Sequence, residues 1–266
     1  MLNWLTARRS PVEDREQLWV DERFDVLVEW LTPTRIQQAS VIEPNDRFFP
    51  DEYENSIESV QKHVERLIGH IGKNLEPFDE TGIEFQFESL RIDPSLAQQP
   101  MVLTASIGIQ LAAQALQTGF LKSEACRKWM CPPLHRPTRD IEETLTAASW
   151  ASHSLDLSDL NTPADHARKL QEQMAPLASI LTVLLGAGLF SSNTAVLDSG
   201  CGCSGGSCGS GGGKSGAGLS FPQFAWALAR FAAVRGEASP AWASHLRLDV
   251  KSPFRQAQRY LQRRVA

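Results

Sequence analysis

The sequence lacks the marks of several whole classes of protein. Its opening, MLNWLTARRSPVEDREQLW, has no charged lead, apolar centre and small-residue cleavage site in the order that a secretory leader requires, so a cytoplasmic protein is expected. Cysteine is sparse and odd in number, five in all, which argues against a framework of paired disulfides. Long apolar runs are missing too. The longest, Met174 to Phe190, falls short of a membrane span and is broken by Pro176, Ser179, Thr182, Gly186 and Gly188, so it fits a buried helix better. Positive charge is not in excess: the net charge of −5 argues against wholesale affinity for nucleic acid. What is present, 42% hydrophobic and 21% charged residues over 266 positions, is enough for one sizeable core or two small ones.

Hydrophobic spacing places the helices. Leu18, Phe24, Leu27, Val28 and Leu31 recur at helical spacing from about Arg15 to Leu31, and Thr32-Pro33 ends the pattern because the residue before a proline disfavours helix. The turn-rich EPNDRFFPDEY follows. A second amphipathic helix, opened by Asn55, buries Val60, Val64, Leu67, Ile68 and Ile71, with Gly72 as its expected C-cap. Gly82 to Glu88 alternates strictly, with Ile83, Phe85 and Phe87 on one side, and predicts a half-buried strand. Met101 to Leu116 predicts a helix with Ile107, Leu111 and Leu116 in its core stripe, ended by Gly119.

Between Lys122 and Thr162 the prolines at 132, 133 and 137 predict mostly loop, with one short helix near Glu142 to Trp150. Asn161-Thr162-Pro163 then opens a helix to about Phe190, which Pro176 should kink or split and whose second half should be buried on all sides. Ser199 to Gly218, SGCGCSGGSCGSGGGKSGAG, has too little side-chain volume to pack and predicts a flexible insert. Beyond it, Phe224, Leu228 and Phe231 mark a helix over Phe221 to Val234. In the terminal helix Arg255, Arg259 and Arg263 recur every four residues, opposite Phe254, Ala257 and Leu261. That stripe is either a solvated face or a docking stripe for an acidic partner.

Chemistry-bearing motifs are few. Cys126, Cys131 and His135 are spaced too loosely for a zinc knuckle, and as nucleophile and base they lack an orienting partner. Cys208 to Ser215 imitates a phosphate-binding loop, but Cys208 stands where its first glycine is needed and no apolar strand precedes it. Cys201, Cys203 and Cys208 could together ligate a soft ion, yet no fourth ligand is near. His63 and His70 lie two turns apart on one helix face, and Asp165-His166 sits at a helix start; these are expected to be satisfied or surface groups.

Within the Met101 helix, Ile109-Gln110-Leu111-Ala112-Ala113 stands where a zinc hydrolase would carry His-Glu-x-x-His, two histidines one turn apart with a glutamate to activate water. Four pieces together, DRFFPDEY with the helix Ser56 to Gly72, MVLTASIGIQLAAQAL, LTVLLGAGLFSSN and FAWALARFAAVRGEASPAWASHLRLDVKSPFRQAQRYL, resemble a bacterial family of uncharacterised zincin-like proteins. The resemblance implies an α+β fold, mainly helical, with a zincin-like helical core and a small β-sheet. It divides the chain into an N-terminal helical segment, 1–43, and a zincin-like domain, 44–266, carrying the insert at 199–218. It also implies histidines at Ile109 and Ala113, the catalytic glutamate at Gln110 and a further acidic ligand at Ala175 or Ser179, and each of these positions is vacated.

The expected function is therefore that of a catalytically inactive metallopeptidase-like protein with a binding or scaffolding role. No cofactor and no metal at the cleft are expected, and the partner is an unidentified protein or peptide rather than nucleic acid. The alternative is a metal-handling or redox protein working through Cys201, Cys203 and Cys208.

Overall fold

The structure is a computed structural model that describes residues 10–54, 56–75, 90–130, 163–198 and 219–265. Nine α-helices occur among these residues: α1 Asp14–Leu31, α2 Pro33–Gln38, α3 Ile57–Leu75, α4 Pro100–Thr118, α5 Glu124–Met130, α6 Pro163–Leu184, α7 Gly188–Asp198, α8 Phe221–Val234 and α9 Leu248–Val265. Short 3-10 turns at Pro94–Gln98, Phe120–Lys122 and Ala241–His245 join some of them. The expected α+β class is corrected: the described residues are helical, with no strand among them. The segment 82–88, on which the sheet rested, lies outside the described residues, as do 142–150 and the insert 199–218.

α4 is central, packed against α3, α6 and α7, while α8 joins α1, α6 and α7 and carries α9 on its outside. The sequence stripes explain this order. In α4, Ile107, Leu111 and Leu116 are fully buried, and the small residues Ala105, Gly108, Ala112 and Ala115 are buried beside them. A Cβ on Gly108 would lie 3.4 Å from Thr182 Cγ2 and 3.7 Å from the Ala187 Cβ, so α4 and the end of α6 meet through small side chains at ordinary contact distances. From Leu177 to Leu185 α6 has no exposed residue, as the apolar run requires. α1 and α2 contribute Phe24, Leu27 and Ile36 to the same core.

Three helix details differ from the sequence reading. In α1 the buried stripe is Gln17, Val20, Phe24, Leu27 and Leu31, with Arg23 beside it, whereas Leu18 is 40% exposed. The i, i+3, i+4 rows through Val20 reach the core, and Leu18 falls more than a third of a turn from the centre of that face. Gly72 does not cap α3, which runs on to Leu75 because that leucine is buried. Of the two outcomes expected at Pro176, a kink or a split, the split does not occur: α6 is one helix from Pro163 to Leu184.

The break comes at Gly186 instead. Its φ of +82° is left-handed, and Gly186 N–H donates to Val183 O at 3.0 Å while Ala187 N–H reaches Thr182 O at 3.0 Å. These two bonds satisfy the last carbonyls of α6 and turn the chain into α7. Gly236, φ +72°, ends α8 with the same pair of bonds to Ala233 and Ala232.

Candidate functional site

The positions that the resemblance assigns to a metal site occupy two neighbouring helices. Ile109, Gln110 and Ala113 are half-buried on α4, while on α6 Ala175 is exposed and Ser179 is fully buried. The Ser179 hydroxyl donates to Ala175 O at 3.0 Å, so it is held along its own helix. The helices touch through Gly108 and Thr182, one residue from Ile109 and one turn from Ser179. Among the described residues, no three His, Cys, Asp or Glu side chains gather as a metal site.

Gln110 has a definite task. Its Oε1 accepts from Arg91 N–H at 2.7 Å and its Nε2 donates to Arg91 O at 3.0 Å. A primary amide, with a donor and an acceptor side by side, can close both bonds on one residue's peptide groups; a carboxylate, which only accepts, cannot. The non-helical segment entering α4 is thus paired to it as an edge strand would be, by one side chain.

The same device recurs. Asn74 accepts from Ser40 N–H at 3.0 Å and donates to Ser40 O at 3.0 Å and Leu185 O at 2.8 Å, tying the segment after α2 to the end of α6. Asn193 of α7 donates to His245 O at 2.9 Å and accepts from Arg247 N–H at 3.0 Å, fixing the entry to α9. The bonds at Leu185, His245 and Arg247 are part-buried and those at Arg91 and Ser40 exposed; in each case the amide gives irregular backbone the partners that a sheet would otherwise provide. Sequence reasoning passed over Asn74 and Asn193, since a lone asparagine does not announce which backbone it will meet.

The two histidines of α3 hold the turn-rich segment. Phe48 and Phe49 dock there: Phe49 stacks on His63 with ring centres 4.4 Å apart, and the Phe48 ring meets His70 edge-on at 5.1 Å. His63 Nε2 lies 2.6 Å from Thr104 Oγ1, whose hydroxyl donates to Pro100 O at 2.7 Å. The hydroxyl's proton being so placed, His63 Nε2–H is the donor to it. Burial pushes the His63 imidazole down to about 4. The group is a neutral structural ring, consistent with the expectation of satisfied histidines.

Arg23 is a buried charge that the sequence reading missed, although it lies three residues after Val20, beside the apolar row. Its guanidinium is fully buried, sits 4.0 Å over the Trp19 ring and donates to Trp19 O at 3.0 Å and to Gln173 Oε1 at 3.0 Å through Nε. Desolvation lowers its pKa to about 10, partly opposed by the negative charge of Glu22. Glu22 also accepts from the Trp129 indole N–H at 2.9 Å, which ties α5 to α1. These groups anchor three helices.

Of the cysteines, Cys126 is described, and at 5% exposure it is packed in the core beside α1. Cys131, His135, His166 and the insert cysteines Cys201, Cys203 and Cys208, together with the loop Cys208 to Ser215, lie outside the described residues or side chains.

The terminal stripe has a defined setting. Phe254 and Ala257 are buried against α8, and Leu261 is partly buried, as expected. Arg255 and Arg259 are exposed and line, with Lys251, an open groove of about 410 Å³ between α9 and the 238–244 turn. Gln258 and Gln262 brace its far wall by donating to Ala238 O at 3.5 and 3.3 Å. Neither Arg255 nor Arg259 forms an ion pair among the described residues, and the lining holds no carboxylate. Arg263 lies one turn further along the same helix.

No helix among the described residues is long and apolar enough to cross a membrane. No family model, no curated protein and no solved structure matches this chain.

Proposed function

We propose that the protein is a catalytically inactive, zincin-like helical protein whose role is to bind or scaffold a protein or peptide partner. One observation carries this reading: the residue standing for the catalytic glutamate, Gln110, uses its amide to hold the backbone of Arg91 at 2.7 and 3.0 Å. A position that in a zinc hydrolase activates water is here given to fixing a loop, with Ile109 and Ala113 on either side unable to ligate. The side-by-side placement of α4 and α6 supports the same ancestry, since both helices carry vacated positions.

Two measurements test it. Metal analysis of the purified full-length protein should find no tightly held zinc. One zinc per chain that survives replacement of Cys201, Cys203 and Cys208 by serine would overturn the reading. Replacing Gln110 by glutamate should lower stability by about 1 kcal/mol, because the Arg91 carbonyl loses its donor and meets a carboxylate instead. A Gln110→Glu variant that is as stable as the parent and acquires zinc-dependent peptidase activity would count against it.

A further inference from the structure

The groove beside α9 joins an open cleft to a row of cations. Three cations line it at four-residue intervals along one helix, Lys251, Arg255 and Arg259. The Lys251 ammonium donates to Ser244 O at 3.3 Å and is thereby drawn toward the turn, while both arginines extend from exposed positions. In a chain of net charge −5, a lining with three cations and no carboxylate is a local reversal of sign. The field in the groove therefore attracts anions that the molecule as a whole repels.

Geometry narrows the occupant. Four residues of α-helix advance about 6 Å, so the cations span about 12 Å. Alternate side chains of an extended chain are about 6.7 Å apart and point the same way, so carboxylates at every second residue meet successive cations within the reach of long basic side chains. The groove of about 410 Å³ is open, and an extended segment can lie along its row of cations. A long polyanion would extend beyond the groove over a molecule whose net charge of −5 opposes it, whereas a short acidic segment ends within the groove.

We propose that this groove binds a short acidic segment of a partner protein in extended conformation, its alternate carboxylates paired with Lys251, Arg255 and Arg259. The turn 238–244 forms the opposite wall, and the amides of Gln258 and Gln262 keep that wall in place. This deepens the binding role proposed above and rests on it.

The test uses the full-length protein and a dye-labelled peptide of alternating glutamate and serine, followed by fluorescence anisotropy at low salt. Binding is expected, with roughly tenfold or greater weakening in the Arg255→Gln/Arg259→Gln double variant, from two exposed charge pairs. The Arg255→Lys/Arg259→Lys variant should retain most of the binding, and Arg127→Gln on α5 should leave it unchanged. Both arginines being exposed, melting curves of all variants should coincide. Equal binding by the double glutamine variant, or equal binding of a peptide with glutamine in place of glutamate, would sink the proposal. So would failure of the peptide to bind while a single-stranded oligonucleotide or phosphatidylserine vesicles bind through the same arginines. A zinc found at the α4 centre would instead remove the inactive-enzyme reading and leave the peptide result standing, so the two failures are separable.

Discussion

The seam between α4 and the end of α6 and the seam between α1 and α8 are built on opposite principles. The first is made of small and apolar groups, with Gly108 set against Thr182 and Ala187. The second is polar and aromatic: Arg230 bonds Asp21 Oδ1 at 2.6 Å and also reaches Asp25, Trp226 donates to Asp21 at 2.7 Å, and the Arg230 guanidinium lies 4.9 Å from the Phe24 ring centre. At the end of α6 the backbone itself is approached: a Cβ would meet Ser40 O at 2.2 Å from Gly186 and Val183 Cα at 2.9 Å from Gly188, so an added methyl group finds no room there. Long polar side chains at a partly wet seam can shift, and water can replace what they lose. The difference predicts that the centre is brittle and the rim forgiving.

The largest effect should follow a change at Gly186. Alanine there would hold a left-handed φ of +82° and place its Cβ 2.2 Å from Ser40 O, so Gly186→Ala should cost about 3 kcal/mol or more, read by chemical denaturation. A loss below about 1 kcal/mol would show that the centre yields more than its packing implies.

An intermediate effect belongs to His63, at the boundary between α3 and α4. Its folded pKa of about 4 lies below the ordinary value of 6.5, so between these values the unfolded chain binds a proton that the folded one refuses. The stability linked to this ring is complete above about pH 6.5 and is lost as pH falls toward 4. The loss should be on the order of 2 kcal/mol after allowance for the ring's partial exposure. His63→Gln, which keeps a donor for Thr104, should flatten that part of the stability profile; an unchanged slope would refute the assignment.

The smallest effect is expected at the rim. Arg230→Gln should destabilise by about 1 kcal/mol, and the parent should lose part of that difference in high salt, since the pairs with Asp21 and Asp25 are partly solvated. A loss as large as that at Gly186 would erase the contrast between the two seams.

Much of this arrangement was legible because burial repeats along a helix. Val64, Leu67 and Ile71, or Phe224, Leu228 and Phe231, announce their faces by spacing alone, and each set is buried as that spacing predicts. The ends of helices were less so. Gly72 and Pro176 have the local chemistry of breakers, yet the burial of Leu75 and of the apolar half of α6 carries both helices through. Gly186 does break the chain, and there the close approach of Ser40 leaves room for no other residue.

At the candidate site the sequence established what residues 109, 110 and 113 cannot do. An isoleucine and an alanine have no lone pair to give, and a glutamine takes up no proton, whatever the fold. What Gln110 does do required its neighbour in space, since Arg91 is nineteen positions away and nothing in either residue names the other. The arginines of α9 show the same division. Their four-residue spacing put them on one face, but only the turn 238–244, folded against that face, makes a groove of it. Covalent identity and helical period are local properties and can be read from the chain; which backbone an amide meets, and which surface a charge lines, depend on contacts that exist only once distant segments have packed.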